Sequence, residues 1–315
     1  LGEVLSLTTP FFGLIFLGFL VGRLARHPST GLVWMNIFIV YLALPALFYR
    51  YLSQMPVDEL GDIVYVAAAA GATMLVTVLA FVVAMIRTRG DIAYATIMGL
   101  IGGYSNNGYL GPGMALVAIG PAATVPVALI FSAESTLFFI LAPVMMALAG
   151  SNRGTALQTT LRILKRIFTH PFILSVLAGV AAAVTGFQPP DAAERLITML
   201  SGAAAPCALF AMGVTVALQP IPSRRSVQDI SLFMAMKLVL HPVVSYLVLS
   251  ALGADPLWLT AAVLLAALPT ATNVFVLASQ YEVAREEASN AIMVATALAA
   301  VTVTAILYLI RTGVL

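Results

Sequence analysis

The sequence predicts an all-α integral membrane protein of ten transmembrane helices, built as two inverted five-helix repeats. Charged residues make up only 9% of the 315, against 61% hydrophobic, and mean hydropathy is +1.04. An average soluble domain is roughly a quarter charged. The few charges stand between long runs that have none. Two of those runs carry matching helix-breaking motifs, one in each half of the chain. A large soluble helical protein would need polar faces at helical period, and these are missing.

Taken in order, uncharged runs cover residues 4–22, 27–49, 63–86, 92–133, 167–190, 196–223, 256–281 and 288–310. A helix crosses hydrocarbon in about 20 residues. The run 92–133, 42 residues long, holds the fourth span and begins the fifth, which continues past Glu134 to residue 152. Residues 230–254, interrupted only by Lys237 and His241, supply the eighth. With the N-terminus outside, the inner loops hold eleven basic residues: Arg23, Arg26, Arg87, Arg89, Arg153, Arg162, Lys165, Arg166, Arg224, Arg225 and Arg285. The outer segments hold Arg50, Arg195 and Arg311. Basic residues favour the cytoplasmic side, so both termini are expected to face the exterior, the periplasm if the membrane is a bacterial inner membrane. Arg50, between Tyr49 and Tyr51, reads as an interface anchor.

Several classes are excluded. No basic cluster sits on a polar surface for nucleic acid. The single cysteine, Cys207, excludes an internal disulfide and a cysteine metal cluster. The start, LGEVLSLTTP, has no basic region of the kind a cleavable signal peptide carries. There is no HExxH, no Walker loop and no nucleophile elbow around Ser132 or Ser135. Enzyme chemistry, a cofactor and a metal are therefore not expected.

The polar stretch 151–166 reads as a cytoplasmic linker between repeats at 1–150 and 167–315. Ala43-Leu44-Pro45-Ala46-Leu47-Phe48 in span two resembles Ala205-Pro206-Cys207-Ala208-Leu209-Phe210 in span seven. Ser105-Asn106-Asn107-Gly108-Tyr109-Leu110 aligns with Ala271-Thr272-Asn273-Val274-Phe275-Val276, 166 residues later, and Gly103 aligns with Pro269. Five spans per half is an odd number, so the second half enters from the opposite side, a common plan of secondary transporters.

The motif GGYSNNGYLGPG at 102–113 lies deep in an uncharged run. Gly102, Gly103, Gly111, Pro112 and Gly113 should interrupt span four, and Pro269 span nine. Interrupted helices leave free N–H and C=O groups, and free N–H groups attract anions. Paired breaks in two halves point to a substrate site. Ser105, Asn106, Asn107, Tyr109, Thr270, Thr272 and Asn273 are the candidate substrate-binding residues. Asparagine both donates and accepts; packing and hydrogen bonding between helices is the plainer role for such residues. Glu134 is the one carboxylate deep in a span, either a proton carrier or a neutral structural group. Lys237 and His241, four apart on one face, read as an anion contact or a proton-sensitive pair, or as a snorkelling lysine beside a histidine serving the carbonyl freed by Pro242.

Ser105-Asn106-Asn107-Gly108-Tyr109-Leu110-Gly111 resembles the fourth-span motif of the auxin efflux carrier family. The stretch LPTATNVFVLASQY, Leu268 to Tyr281, resembles its ninth-span motif, and Lys237-Leu238-Val239-Leu240-His241-Pro242 its eighth span. The chain lacks the long central loop of the plant hormone carriers and looks like the short bacterial branch, which includes malonate and malate carriers. The resemblance covers essentially the whole chain. It implies that helices four and nine cross at their breaks, with Asn106 at the crossing. It also implies a scaffold of helices 1, 2, 6 and 7, a moving transport domain of helices 3–5 and 8–10, a homodimer, and an elevator mechanism. Ser105 stands where plant members have proline, and Pro112 sits one residue early, where the pattern would put proline at Gly113. The function expected is secondary active transport of a small organic anion, a mono- or dicarboxylate, with a proton as coupling ion. A sodium-coupled symporter of the bile-acid carrier type, a passive anion channel and a membrane sensor stand as alternatives.

Overall fold

The computed structural model describes residues 2–25, 30–54, 63–150 and 156–313; Arg26 and Arg153 lie outside the described residues. Helices follow the apolar runs, and capping residues and prolines set their ends. α1 (Gly2–Ala25) is followed by α2 (Thr30–Phe38), which passes through a π turn, Ile39–Ala43, into α3 (Leu44–Ser53). Pro45 accounts for the widened turn. It has no N–H for the carbonyl four residues back, and its ring crowds that carbonyl. The Leu44 N–H accordingly reaches five residues back, to Ile39. α4 (Ile63–Thr88) precedes α5 (Ile92–Gly103), whose first turn is capped by the Asp91 carboxylate on the Tyr94 N–H at 2.9 Å. Then come α6 (Gly111–Ala118) and α7 (Thr124–Leu148).

The second half opens with α8 (Ala156–Phe168), an amphipathic helix with Leu157, Leu161 and Phe168 exposed. α9 (Pro171–Thr185) stops at Gly186, whose φ of 68° suits glycine. α10 (Asp191–Leu218) follows. α11 (Arg224–Ala235) passes through a second π turn, Met236–Leu240, into α12 (His241–Ala251), where Pro242 repeats the effect of Pro45. α13 (Pro256–Ala267), capped by Asp255, α14 (Thr272–Tyr281) and α15 (Arg285–Arg311) complete the order.

Among the described residues six helical segments are long and apolar enough to cross a membrane: Gly31–Ser53, Ile63–Thr88, Pro121–Leu148, Asp191–Leu218, Arg224–Ala251 and Arg285–Ile310. Four shorter apolar helices, Thr9–Ala25, Ile92–Gly103, Pro171–Thr185 and Pro256–Ala267, occupy the other runs. Trp34, Ile86 and Val301 point outward, as apolar side chains do toward lipid. The chain is an integral membrane protein.

Close packing rests on small residues. α1 lies along α10 because Gly18 and Gly22 face Gly213 and Ala217. A Cβ on Gly18 would strike the Phe210 carbonyl, and one on Gly213 the Ile15 carbonyl. α3 packs on α9 and α10; α4 packs on α5, α7 and α12; α15 covers α11, α13 and α14.

Candidate functional site

Both expected interruptions are present. α5 stops at Gly103, and the chain is extended from Tyr104. α13 stops at Ala267, and Leu268 is extended. The two freed stretches meet, with Ser105 and Thr270 pairing as an antiparallel bridge. The Asn106 N–H donates to the Pro269 carbonyl at 2.8 Å, and the Ala271 N–H to the Tyr104 carbonyl at 2.9 Å. The Thr270 hydroxyl donates to the Ile101 carbonyl at 2.9 Å, one of the last-turn carbonyls a helix end leaves unpaired. Each break therefore satisfies the other, the condition under which irregular backbone persists at membrane depth.

The neighbouring asparagines point to opposite sides. Asn106 donates through Nδ2 to the Met212 sulfur at 3.3 Å and lines a cavity of about 80 Å³. Ser105, Tyr104, Tyr109 and Asn273 line the same cavity, together with Phe131, His170 and Phe172. Asn273 donates to the Tyr104 hydroxyl at 3.3 Å, and the Tyr109 hydroxyl donates to Asn36 Oδ1 at 3.2 Å. Ser105 Oγ is buried without a hydrogen-bond partner. A larger groove, about 610 Å³, lies between α4, α7 and α9, but its lining is almost wholly apolar.

Asn107 turns the other way and joins a buried polar chain. Its Nδ2 donates to Glu134 Oε2 at 2.6 Å, and the Thr73 hydroxyl donates to Glu134 Oε1 at 2.5 Å. Thr73 Oγ1 lies 2.9 Å from His241 Nε2, and His241 Nδ1 lies 3.1 Å from Lys237 Nζ. Lys237 donates to the Ala266 carbonyl at 2.7 Å, in the last turn of α13. The chain thus runs from one break to the turn before the other. Its members are 0–3% exposed. Lys237 does not snorkel, and His241 serves Thr73 and Lys237.

Among the other residues singled out by sequence, Thr270 faces the Ile101 carbonyl and not the cavity. Thr272 opens α14 and is absent from the cavity lining. Gly103, the last residue of α5, lets that helix approach Thr77. Gly111, Pro112 and Gly113 form the first turn of α6, where Gly113 faces Ala205. Pro269 lends its carbonyl to Asn106. No cluster of three or more metal-ligating side chains occurs among the described residues. Sequence reasoning passed over Thr73, Tyr104, Met212 and His170. His170 did carry a signal: like His241, it precedes a proline at a helix start.

Paired helix interruptions inside an apolar helical bundle are a plan of secondary transporters. A family model described as "Membrane transport protein" matches residues 4–307, and the chain belongs to that family, the family of the auxin efflux carriers. It is 52% identical over 316 aligned positions to a protein of Rhizobium meliloti named "Putative malonate transporter", covering 100% of this chain and 98% of the relative. It is 24% identical over 291 positions to an "Uncharacterized transporter" of Methanothermobacter thermautotrophicus, covering 91% and 92%. Family and relatives are transporters, and the chain is not an enzyme.

Proposed function

We propose that the protein is a proton-coupled secondary active transporter of small organic anions, of the malonate type that one relative's name carries. The observation that carries this reading is the bridged pair of breaks, with Asn106 and Asn273 on one small cavity. In this reading the six long and four shorter apolar helices make ten spans in two inverted repeats, 1–150 and 167–315, joined by 151–166. Helices four and nine cross at the bridge. Helices 1, 2, 6 and 7 form the scaffold, and helices 3–5 and 8–10 the transport domain that moves past it as an elevator. The packing of α1 on α10 and of α3 on α9 and α10 supports that division. The protein works as a homodimer in a bacterial inner membrane with both termini outside.

Ser105, Asn106, Asn273 and Tyr109 contact substrate, whereas Asn107 and Thr270 hold the breaks in shape and Thr272 opens α14. Glu134 carries the coupling proton. A proton is favoured over sodium because the Lys237 ammonium already supplies a cation at the C-terminal end of α13, where a helix attracts positive charge.

Uptake of labelled malonate into proteoliposomes, with and without an inward proton gradient and with and without sodium, tests this. Concentrative uptake that a protonophore abolishes is expected. Accumulation that requires sodium would assign the coupling to sodium. Flux that only follows the electrochemical gradient would make the protein a channel.

A further inference from the structure

The cavity at the breaks has a second wall, which comes from α9. His170 is the N-cap residue of that helix, Phe172 lies in its first turn, and both line the cavity. Facing them, Ala271 is the N-cap residue of α14 and Asn273 lies in its first turn. Two helices, of 15 and 10 residues, therefore begin at one small cavity. Each brings N–H groups without intrahelical partners and the positive end of its dipole. The Ser105 hydroxyl, in a residue 1% exposed, lines the same space without a hydrogen-bond partner. Among the described residues no aspartate or glutamate lines it, and His170 is the one imidazole that does. The Phe139 and Phe172 rings, 4.8 and 5.0 Å away between centroids, hold that imidazole in place.

We infer that His170 is a specificity-determining residue: it receives the second carboxylate of a short dicarboxylate whose first is held at the α14 end by Ser105 and Asn273. The inference rests on the organic-anion reading above and assigns the far end of the same site. Size narrows the substrate. The cavity is small, about 80 Å³. We therefore assign it a short dicarboxylate such as malonate in preference to an aromatic acid. A monocarboxylate of the same length reaches only one of the two helix ends.

The test compares wild type, His170→Ala and His170→Gln in proteoliposomes. Labelled malonate uptake is measured alone and in competition with propionate, which has malonate's length but one carboxylate. The expected result for His170→Ala is a half-saturating malonate concentration raised by about tenfold or more, as for loss of a hydrogen bond to a charged group. Its maximal rate stays within about twofold of wild type, the pattern of lost ground-state binding. Inhibition by propionate is unchanged, and His170→Gln, which keeps a neutral donor, falls between. Equal loss for malonate and propionate, or no change for either, overturns the assignment. Loss of the cooperative thermal transition in both variants makes His170 a packing residue and also overturns it. Absence of any small-carboxylate uptake by wild type sinks the organic-anion reading itself, and this inference with it.

Discussion

Thr73 decides the direction of the buried polar chain, because its hydroxyl has one proton to give. When it donates to Glu134 Oε1, it must accept from His241 Nε2. His241 Nδ1 is then an acceptor for the Lys237 ammonium. Reversing every bond puts the proton on Glu134 and leaves Lys237 a neutral amine. One proton can thus pass between the two residues with no atom displaced by more than a bond. In the proposed carrier, Thr73→Val keeps the shape and removes the hydroxyl. Proton-driven accumulation should fall at least tenfold, and exchange of labelled for unlabelled substrate should persist; full accumulation would exclude the relay. Glu134→Gln should behave the same way. Lys237→Met leaves the Ala266 carbonyl and the His241 ring nitrogen without their donor, at about 1–3 kcal/mol each. The melting temperature should drop by several degrees. Adding Glu134→Gln should cost less than the sum of the two single changes, since the residues share one network. On the cavity side, Asn106→Ala and Asn273→Ala should each weaken malonate uptake by about tenfold; unchanged affinity and rate in both would remove them from the site.

At the scale of elements, proline and glycine do different work. Pro45 and Pro242 each follow a π turn in a span that remains helical. The turn in α11–α12 places Lys237 and His241 on the buried face. The glycines of α1 and α10 serve contact. Gly18 and Gly213 each face carbonyl oxygen of the other helix, and backbone cannot move aside as a side chain can. Helices in lipid associate largely through such close contact. Gly213→Val should therefore cost about 1–3 kcal/mol or more, read as a lower melting temperature in detergent. Gly71→Ala, with open space at its Cβ inside α4, should not lower it and, by helix propensity, should raise it slightly; it serves as the control.

Across the whole molecule, the proposed scaffold and transport helices meet in part through apolar contacts. Met212 and Val216 of α10 pack with Ile292 of α15 and with Phe19 and Phe275. Three side-chain hydrogen bonds also cross, Asn106 to Met212, Tyr109 to Asn36 and Ser289 to Gln219, and sliding of these surfaces exchanges them. In a Cys207→Ser background, cysteines at Val216 and Ile292 joined by a short thiol-specific crosslinker should stop uptake, and reduction of a cleavable linker should restore it. Uptake that continues through the crosslink would exclude relative movement of these helices.

The membrane character, the order of the apolar helices and the position of both breaks were legible in the chain itself. Hydropathy is a sum over neighbours, and glycine and proline act on their own backbone, so both are local. The matching motifs at 105–110 and 271–276 marked the two breaks, and the family resemblance implied their crossing, but the pairing of Ser105 with Thr270 came from the fold. Glu134, Lys237 and His241 stood out as charged or ionisable residues in apolar runs. What local properties could not contain was direction. Adjacent asparagines look equivalent as letters, yet Asn106 faces the cavity and Asn107 faces Glu134. Thr73 is one hydroxyl among many until α4 packs against α7 and α12. His170 reaches the cavity only because α9 begins opposite α14. The sequence by itself determined where the helices run and where they break. Only the tertiary structure decided which polar groups meet, because that depends on which helix faces lie together.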